Sequence, residues 1–472
     1  GGHDAAVKAK DGVVLIPTPA VPIEAATDLQ RRMTKEATMK ARFTLMVLLL
    51  ALVVSPVAIP TGARATLHAV EPGPAAASAS PGGTAPWFVE TVDAAPGVGS
   101  YVSVATDSRG TAYLSYHDET DESLKMAKYV GSGGNCGTDD HWSCEEVDDR
   151  VGTTAGLYSS IAIDPTTDLP AIAYWDFASQ RELKLATLTT SGWDIVKVDQ
   201  GLGKYASLKI DATGAAHIAY WTFGAVFQAL NYARYVGGGA GNCGGNDFQC
   251  DVLFSGDYGI GQYPSLDLTS SGQPRIAYFD RSKDALMYAV PSGSSWTRHK
   301  VIPCISCTQA SLAVDTAHGD RPHMALHDEG YGTLVYAGYV GSGGNCGPGD
   351  SWQCDEIDSV GIQTHVRDVS LMVDKAGYPM IAYTRYTGDP FVTSSLNVAR
   401  PSAALGRRDG NCGPEMYWQC DKVANTGLGD DYAAIAVSPS GLATIGYYNT
   451  EHFGSLKVAY QRVQVFVPLV LR

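Results

Sequence analysis

Residues 204–235, KYASLKIDATGAAHIAYWTFGAVFQALNYARY, decide the fold because their layout recurs along the chain. The unit opens Tyr-x-Ser, alternates apolar and polar residues to Asp211, turns at Gly214, and re-enters an apolar run ending Ile-Ala-Tyr-Trp (218–221). A loop leads to Leu-Asn-Tyr-Ala (230–233). Period-two alternation broken by Asp and Gly turn chemistry predicts consecutive antiparallel strands, so each copy reads as a small meander.

Working outward, the serine of the first strand falls in seven registers: Ser103, Ser160, Ser207, Ser265, Ser311, Ser370 and, substituted, Ala434. The intervals are 57, 47, 58, 46, 59 and 64 residues, a period that implies a solenoid, propeller or array. The second strand recurs seven times, from Leu114-Ser-Tyr-His-Asp118 to Ile445-Gly-Tyr-Tyr-Asn449, and third strands begin at Leu124, Leu183, Leu230, Leu286, Leu334, Leu396 and Leu456. Fourth strands open on an aromatic residue at Trp87, Trp142, Trp193, Phe248, Trp296, Trp352 and Trp418, the first copy preceding everything else. That offset predicts that the strand at about 87–93 completes the last blade. The expectation is an all-β, seven-bladed propeller of four antiparallel strands per blade, spanning 86–462 as a single domain.

The rest of the chain divides by composition. Residues 1–38 read as upstream or unstructured leader. Residues 39–65, MKARFTLMVLLLALVVSPVAIPTGARA, have the positive start, apolar centre and small-residue exit of a secretory signal peptide, with a membrane anchor as the alternative. Residues 66–85 form a Pro/Ala/Gly linker and 463–472 an apolar tail too short to span a bilayer. Beyond residue 85 the chain carries 26 basic and 43 acidic side chains, a formal charge of −17, which argues against nucleic acid as a partner because phosphate binding needs a basic face. The expectation is a secreted or extracellular monomer, in places cell-surface associated, with no nucleic acid partner and no stable membrane span after signal cleavage.

Ten cysteines form five close pairs: Cys136 with Cys144, Cys243 with Cys250, Cys304 with Cys307, Cys346 with Cys354, and Cys412 with Cys420. Four share the frame Gly-Asn-Cys-Gly followed by aromatic-x-Cys, which predicts a disulfide across the hairpin between strands three and four. Each would contribute about 2 to 3 kcal/mol on the chain-entropy model. Zinc is the alternative for paired cysteines, but these pairs belong to different blades and do not converge. The Cys304-Ile-Ser-Cys307 pair reads as a loop clip. No cofactor and no metal set is indicated.

Connectivity places the four-to-one and two-to-three links on one face of the ring. That face should carry the Tyr-x-Ser starts (Tyr101, Tyr158, Tyr205, Tyr263, Tyr432) and the second-strand ends, and the disulfide loops should lie opposite. Expected ligand-binding residues are Tyr101, His117, Asp118, Trp175, Asp176, Trp221, Phe279, Asp280, His327, Asp328 and Tyr448. Aromatic plates beside carboxylates suit saccharides, whose C–H faces pack on rings while hydroxyls take hydrogen bonds. Packing is the competing role for tyrosines repeated in nearly every blade. Two registers break the pattern: Gln309 and Leu326 replace tyrosines in the fifth copy, and in the sixth Asp368 stands in the first-strand tyrosine place and Arg385 where other copies end on Asp, adding Asp368 and Arg385 to the candidates.

Units such as SSIAIDPTTDLPAIAYWD (159–176) and PSLDLTSSGQPRIAYFD (264–280) resemble the repeats of secreted bacterial β-propellers of the sialidase-like and fucose-specific-lectin-like superfamilies, over roughly residues 86–462. The resemblance implies the fold rather than an activity. The sialidase Asp-box, Ser-x-Asp-x-Gly-x-Thr-Trp, is missing, since the corresponding turns read Asp107-Ser-Arg-Gly or Asp211-Ala-Thr-Gly. The leading expectation is a non-enzymatic module for a glycan or cell-surface protein. The alternatives are a glycoside hydrolase or lyase using Glu119, Glu329 or Glu451, whose carboxyl groups would have to stand about 5 to 5.5 Å or about 6.5 to 9.5 Å apart, and a structural adhesion element.

Overall fold

The computed structural model describes residues 86–462, apart from 150–151, 178–180, 202, 225–226, 257, 359–363, 389–392, 408, 428–431 and 452–453. The leader, signal-peptide, linker and tail segments lie outside the described residues. Seven four-stranded antiparallel sheets are present, spanning 98–148, 157–200, 203–256, 260–303, 307–358 and 364–425 for blades 1 to 6. Blade 7 joins residues 433–461 to the N-terminal strand Trp87–Asp93, which pairs with Ser455–Gln461 from Trp87 opposite Gln461 to Asp93 opposite Leu456. The early segment thus closes the ring.

The second strands are the packed layer. Leu114, Ile172, Ile218, Ile276, Met324, Ile381 and Ile445, one per blade, are each 0% exposed. Buried side chains of adjacent blades then form shared cores, as where Val92 and Leu456 of blade 7 meet Leu114 and Trp142 of blade 1. Full burial of such an aliphatic side chain stabilises by about 1.5 to 3 kcal/mol, so the blades hold one another as well as themselves.

Polar stitches between blades explain the repeated residue types. Innermost, the Oγ of Ser103, Ser160, Ser207, Ser265, Ser311 and Ser370 accepts a hydrogen bond from the N–H of Ile161, Leu208, Leu266, Leu312, Leu371 and Ile435 in the following blade, at 2.9–3.2 Å. The seventh register holds Ala434, which has no hydroxyl to offer the corresponding amide of Val104. Farther out, the second-strand tyrosine donates to an aspartate near the end of the preceding blade's fourth strand: Tyr116 to Asp93 at 2.8 Å, Tyr174 to Asp148 and Tyr220 to Asp199 at 2.5 Å, and Tyr383 to Asp358 at 2.8 Å. Outermost, the indole N–H of Trp142, Trp193 and Trp418 donates to Glu90, Glu145 and Asp355.

All five predicted disulfides are formed, as expected of a chain that matures in an oxidising compartment. In the four framed loops the asparagine explains its place. Asn135 donates through Nδ2 to Cys144 O at 2.9 Å and accepts from Cys144 N at 2.7 Å, and Asn242, Asn345 and Asn411 repeat the pair. Gly134 is required there by space, because an added Cβ would lie 1.9 Å from Trp142 O. Among the described residues no helix is long and apolar enough to cross a membrane.

Candidate functional site

In blades 1 to 6 the first strand breaks its ladder just before the repeated serine register. In blade 3 pairing jumps from Lys204 to Ser207, and equivalent jumps occur in blades 1, 2, 4, 5 and 6. The bulge residues Tyr101, Tyr158, Tyr205, Tyr263, Gln309 and Asp368 have φ between 50° and 55°. A bulge bends its strand and re-aims a side chain, and here the six side chains line the axial opening of the ring. Left-handed backbone costs a residue with a Cβ about 1 to 2 kcal/mol, yet none of the six is glycine.

The result is an aromatic arc. Ring centroids run from Tyr432 to Tyr101 at 4.6 Å, Tyr101 to Tyr158 at 4.6 Å, Tyr158 to Tyr205 at 4.3 Å and Tyr205 to Tyr263 at 4.6 Å. The remaining sector is closed by Gln309, which donates through Nε2 to Asp368 Oδ1 at 2.8 Å and accepts from the Asp368 amide; Thr384 donates to Asp368 Oδ2 at 3.0 Å. These side chains line a cavity of ≈ 270 Å³, and the serine ring separates it from a second axial cavity of ≈ 400 Å³. Burial raises the phenol pKa of Tyr158, Tyr205 and Tyr263, so their hydroxyls stay protonated and able both to donate and to accept. Asp368 is the one carboxylate lining the mouth among the described residues.

The second-strand ends lie beside this mouth, as the pairing of His117 with Ser100 and of Trp221 with Lys204 requires, but they are not a solvent-facing rim. His117, Asp118, Trp175, Asp176, Trp221, Phe279, Asp280, His327 and Asp328 are all buried. Their partners are internal. His117 Nδ1 sits 2.7 Å from Ala155 O, and burial lowers its pKa. Asp118 faces Lys125 at 3.5 Å, Asp280 faces Arg298 at 3.0 Å, and Asp176 and Asp148 share the buried Lys184. Trp221 donates to Ile260 O at 3.0 Å and Trp175 packs on Tyr158 and Phe177. His327 meets Thr308 Oγ1 at 3.0 Å; Asp328, whose pKa burial raises, accepts from Gly330 N.

Of the remaining candidates, Tyr101 and Asp368 stand in the mouth, Tyr448 packs behind Tyr432, and Arg385 lies 3.7 Å from Asp358. Glu119, Glu329 and Glu451 are exposed on the links of blades 1, 5 and 7. The exposed aromatic residues of this face are instead Phe177, Phe223, Phe227, Tyr258 and Tyr331. Sequence reasoning passed over them because they fall just outside the repeated registers; that irregularity was the available signal. The described residues contain no group of three or more side chains arranged to hold a metal ion.

No protein-family model matches the chain, and no curated protein matches its sequence. Solved structures similar to it include an ulvan lyase of a polysaccharide lyase family, with 11% identity and a TM-score of 0.46 over 78% of this chain and 95% of that one. AofleA from Arthrobotrys oligospora has 12% identity and a TM-score of 0.41 over 73% and 94%. A leech intramolecular trans-sialidase has 11% identity and a TM-score of 0.36 over 79% and 68%. These likenesses are distant, concern the propeller fold, and assign no activity to this chain.

Proposed function

We propose that the protein is an extracellular binding propeller that takes a saccharide at the tyrosine-lined axial mouth, without turning it over. The observation that carries this reading is the set of six left-handed bulge residues, four of them tyrosines. Backbone strain retained across successive repeats, where glycine would relieve it, is reasonable grounds for inferring a function for the side chains so placed. Contiguous rings offer the flat apolar surface on which sugar C–H faces pack, and the hydroxyls, Gln309 and Asp368 offer the directional hydrogen bonds that fix orientation.

Binding without hydrolysis is favoured by the carboxylate inventory of the mouth. Glycoside hydrolysis in most families needs two carboxyl groups flanking the bond, whereas Asp368 is alone among the described lining residues and already accepts from Gln309 and Thr384. A glycan array with the purified protein tests the reading. Retained glycans that are not cleaved support it; release of reducing sugar or unsaturated product from a labelled panel overturns it.

A further inference from the structure

The same face carries a second regularity, which starts at the edge of the mouth, where Lys204 lies 5.7 Å from the Tyr158 ring centroid, and runs outward. In blade 2 the Arg181 guanidinium lies 5.2 Å from the Phe177 ring centroid. In blade 3 the Lys204 ammonium lies 5.6 Å from Phe223 and 5.2 Å from Trp175 of the preceding blade. In blade 4 the Arg281 guanidinium lies 4.9 Å from Tyr258. Three consecutive blades thus each present one cation over an aromatic ring, and Phe177, Phe223 and Tyr258 are 47%, 41% and 57% exposed.

None of these three cations has a carboxylate within 4.0 Å among the described residues; Arg109, Lys125, Lys184 and Arg298 do, while Lys128, Arg234 and Arg462 share the unpaired condition. In a chain with 49 acidic and 34 basic residues, three consecutive blades that each set a cation beside an exposed ring on one face form a local surface complementary to an external anion. The exposed glutamates Glu119, Glu329 and Glu451 sit on blades 1, 5 and 7, and on the arc itself Asp284 is exposed on the same link as Arg281, beside Lys283.

We propose that blades 2 to 4 bind an acidic saccharide chain across this face, its carboxylate or sulfate groups meeting Arg181, Lys204 and Arg281 and its ring faces packing on Phe177, Phe223 and Tyr258. The proposal rests on the reading of this face as a saccharide site and narrows the ligand class. One cation–aromatic pair per blade suits a polymer with regularly spaced charges. The exposed rings distinguish a saccharide from an acidic peptide, which would need the charges alone.

The test is a fluorescence anisotropy titration of the purified full chain with labelled polygalacturonate, dextran sulfate, neutral dextran and polyglutamate, each at two salt concentrations. Polygalacturonate or dextran sulfate should bind at least about tenfold more tightly than neutral dextran and weaken as salt rises; which of the two binds identifies the anion. Lys204→Gln with Arg281→Gln should lower that affinity about tenfold, and Lys204→Arg should retain it. Polyglutamate binding as tightly as the acidic saccharides would overturn the ligand class. An unaffected double variant, or acidic saccharides no tighter than dextran, would overturn the site. If only a neutral saccharide binds, and Tyr158→Gly abolishes it, the axial mouth stands and this proposal falls; if nothing in the panel or on a glycan array binds, both fall. Should Lys204→Gln fail to fold, Arg281→Gln, on an exposed link, carries the same comparison.

Discussion

The innermost serine stitches predict opposite outcomes for two single substitutions. Ser265→Ala removes a hydroxyl 2.9 Å from the amide of Leu312, a residue only 4% exposed. A typical intramolecular hydrogen bond contributes about 1 kcal/mol net, and a buried donor left without a partner costs about 1 to 3 kcal/mol. Because Ser265 borders an axial cavity of ≈ 400 Å³ with room for water, the loss should fall near the lower end, about 1 to 2 kcal/mol. Ala434→Ser supplies the one stitch missing from the ring, between blades 7 and 1, and should add about 0.5 to 1.5 kcal/mol. Guanidinium unfolding midpoints measure the sum, and amide hydrogen exchange at Leu312 and Val104 reads the two sites individually. Faster exchange at Leu312 in the first variant and slower exchange at Val104 in the second are expected. If neither midpoint nor exchange changes, the serine repeat does not hold the blades together.

Other consequences follow from the same geometry. Lys184→Met strands Asp148 and Asp176 in the core and should destabilise by about 3 to 5 kcal/mol, read as a lowered unfolding midpoint; a change below about 1 kcal/mol would place those charges in contact with solvent. Burial pushes the His323 imidazole down to about 4 and lowers His117 and His217 as well. Unfolded histidines, near 6.5, therefore bind more protons than folded ones between those values, so this stability is whole above about pH 6.5 and lost as pH falls toward about 4. Urea midpoints at pH 7 and pH 5 should show the drop, and His323→Gln should flatten it. Tyr205→Gly relieves backbone strain while losing ring contacts, so the midpoint should move by no more than about 1 kcal/mol while saccharide binding falls; a large destabilisation with binding intact would make the tyrosines packing residues.

The architecture was legible because it repeats. Periodic Tyr-x-Ser and Ile-Ala-Tyr runs expose blade number and strand count, the early Trp87 betrays the closing strand, and the shared Gly-Asn-Cys frame pairs the cysteines. Side-chain environments were less legible for a physical reason. Trp175, Asp176, Asp280 and His327 look like surface chemistry in the sequence, yet they are buried against partners such as Phe177, Lys184, Arg298 and Thr308 in their own blades, and one partner of Asp148 is a lysine 36 positions away. The bulge was equally invisible, since nothing in Tyr205-Ala-Ser207 announces a left-handed residue, and without it the tyrosine would not point down the axis. Exposed Phe177, Phe223 and Tyr258 were visible but unrepeated, and a reading guided by repeats discounts them.

The claim that the tyrosine arc is a saccharide mouth is met most directly by comparing the purified protein with its Tyr158→Gly, Tyr205→Gly double variant on one glycan array, melting curves taken in parallel. The account predicts glycans retained by the first protein, at least about tenfold weaker retention by the second, intact glycans throughout, and little change in melting. Equal retention by both proteins, or a cleaved glycan, would contradict it.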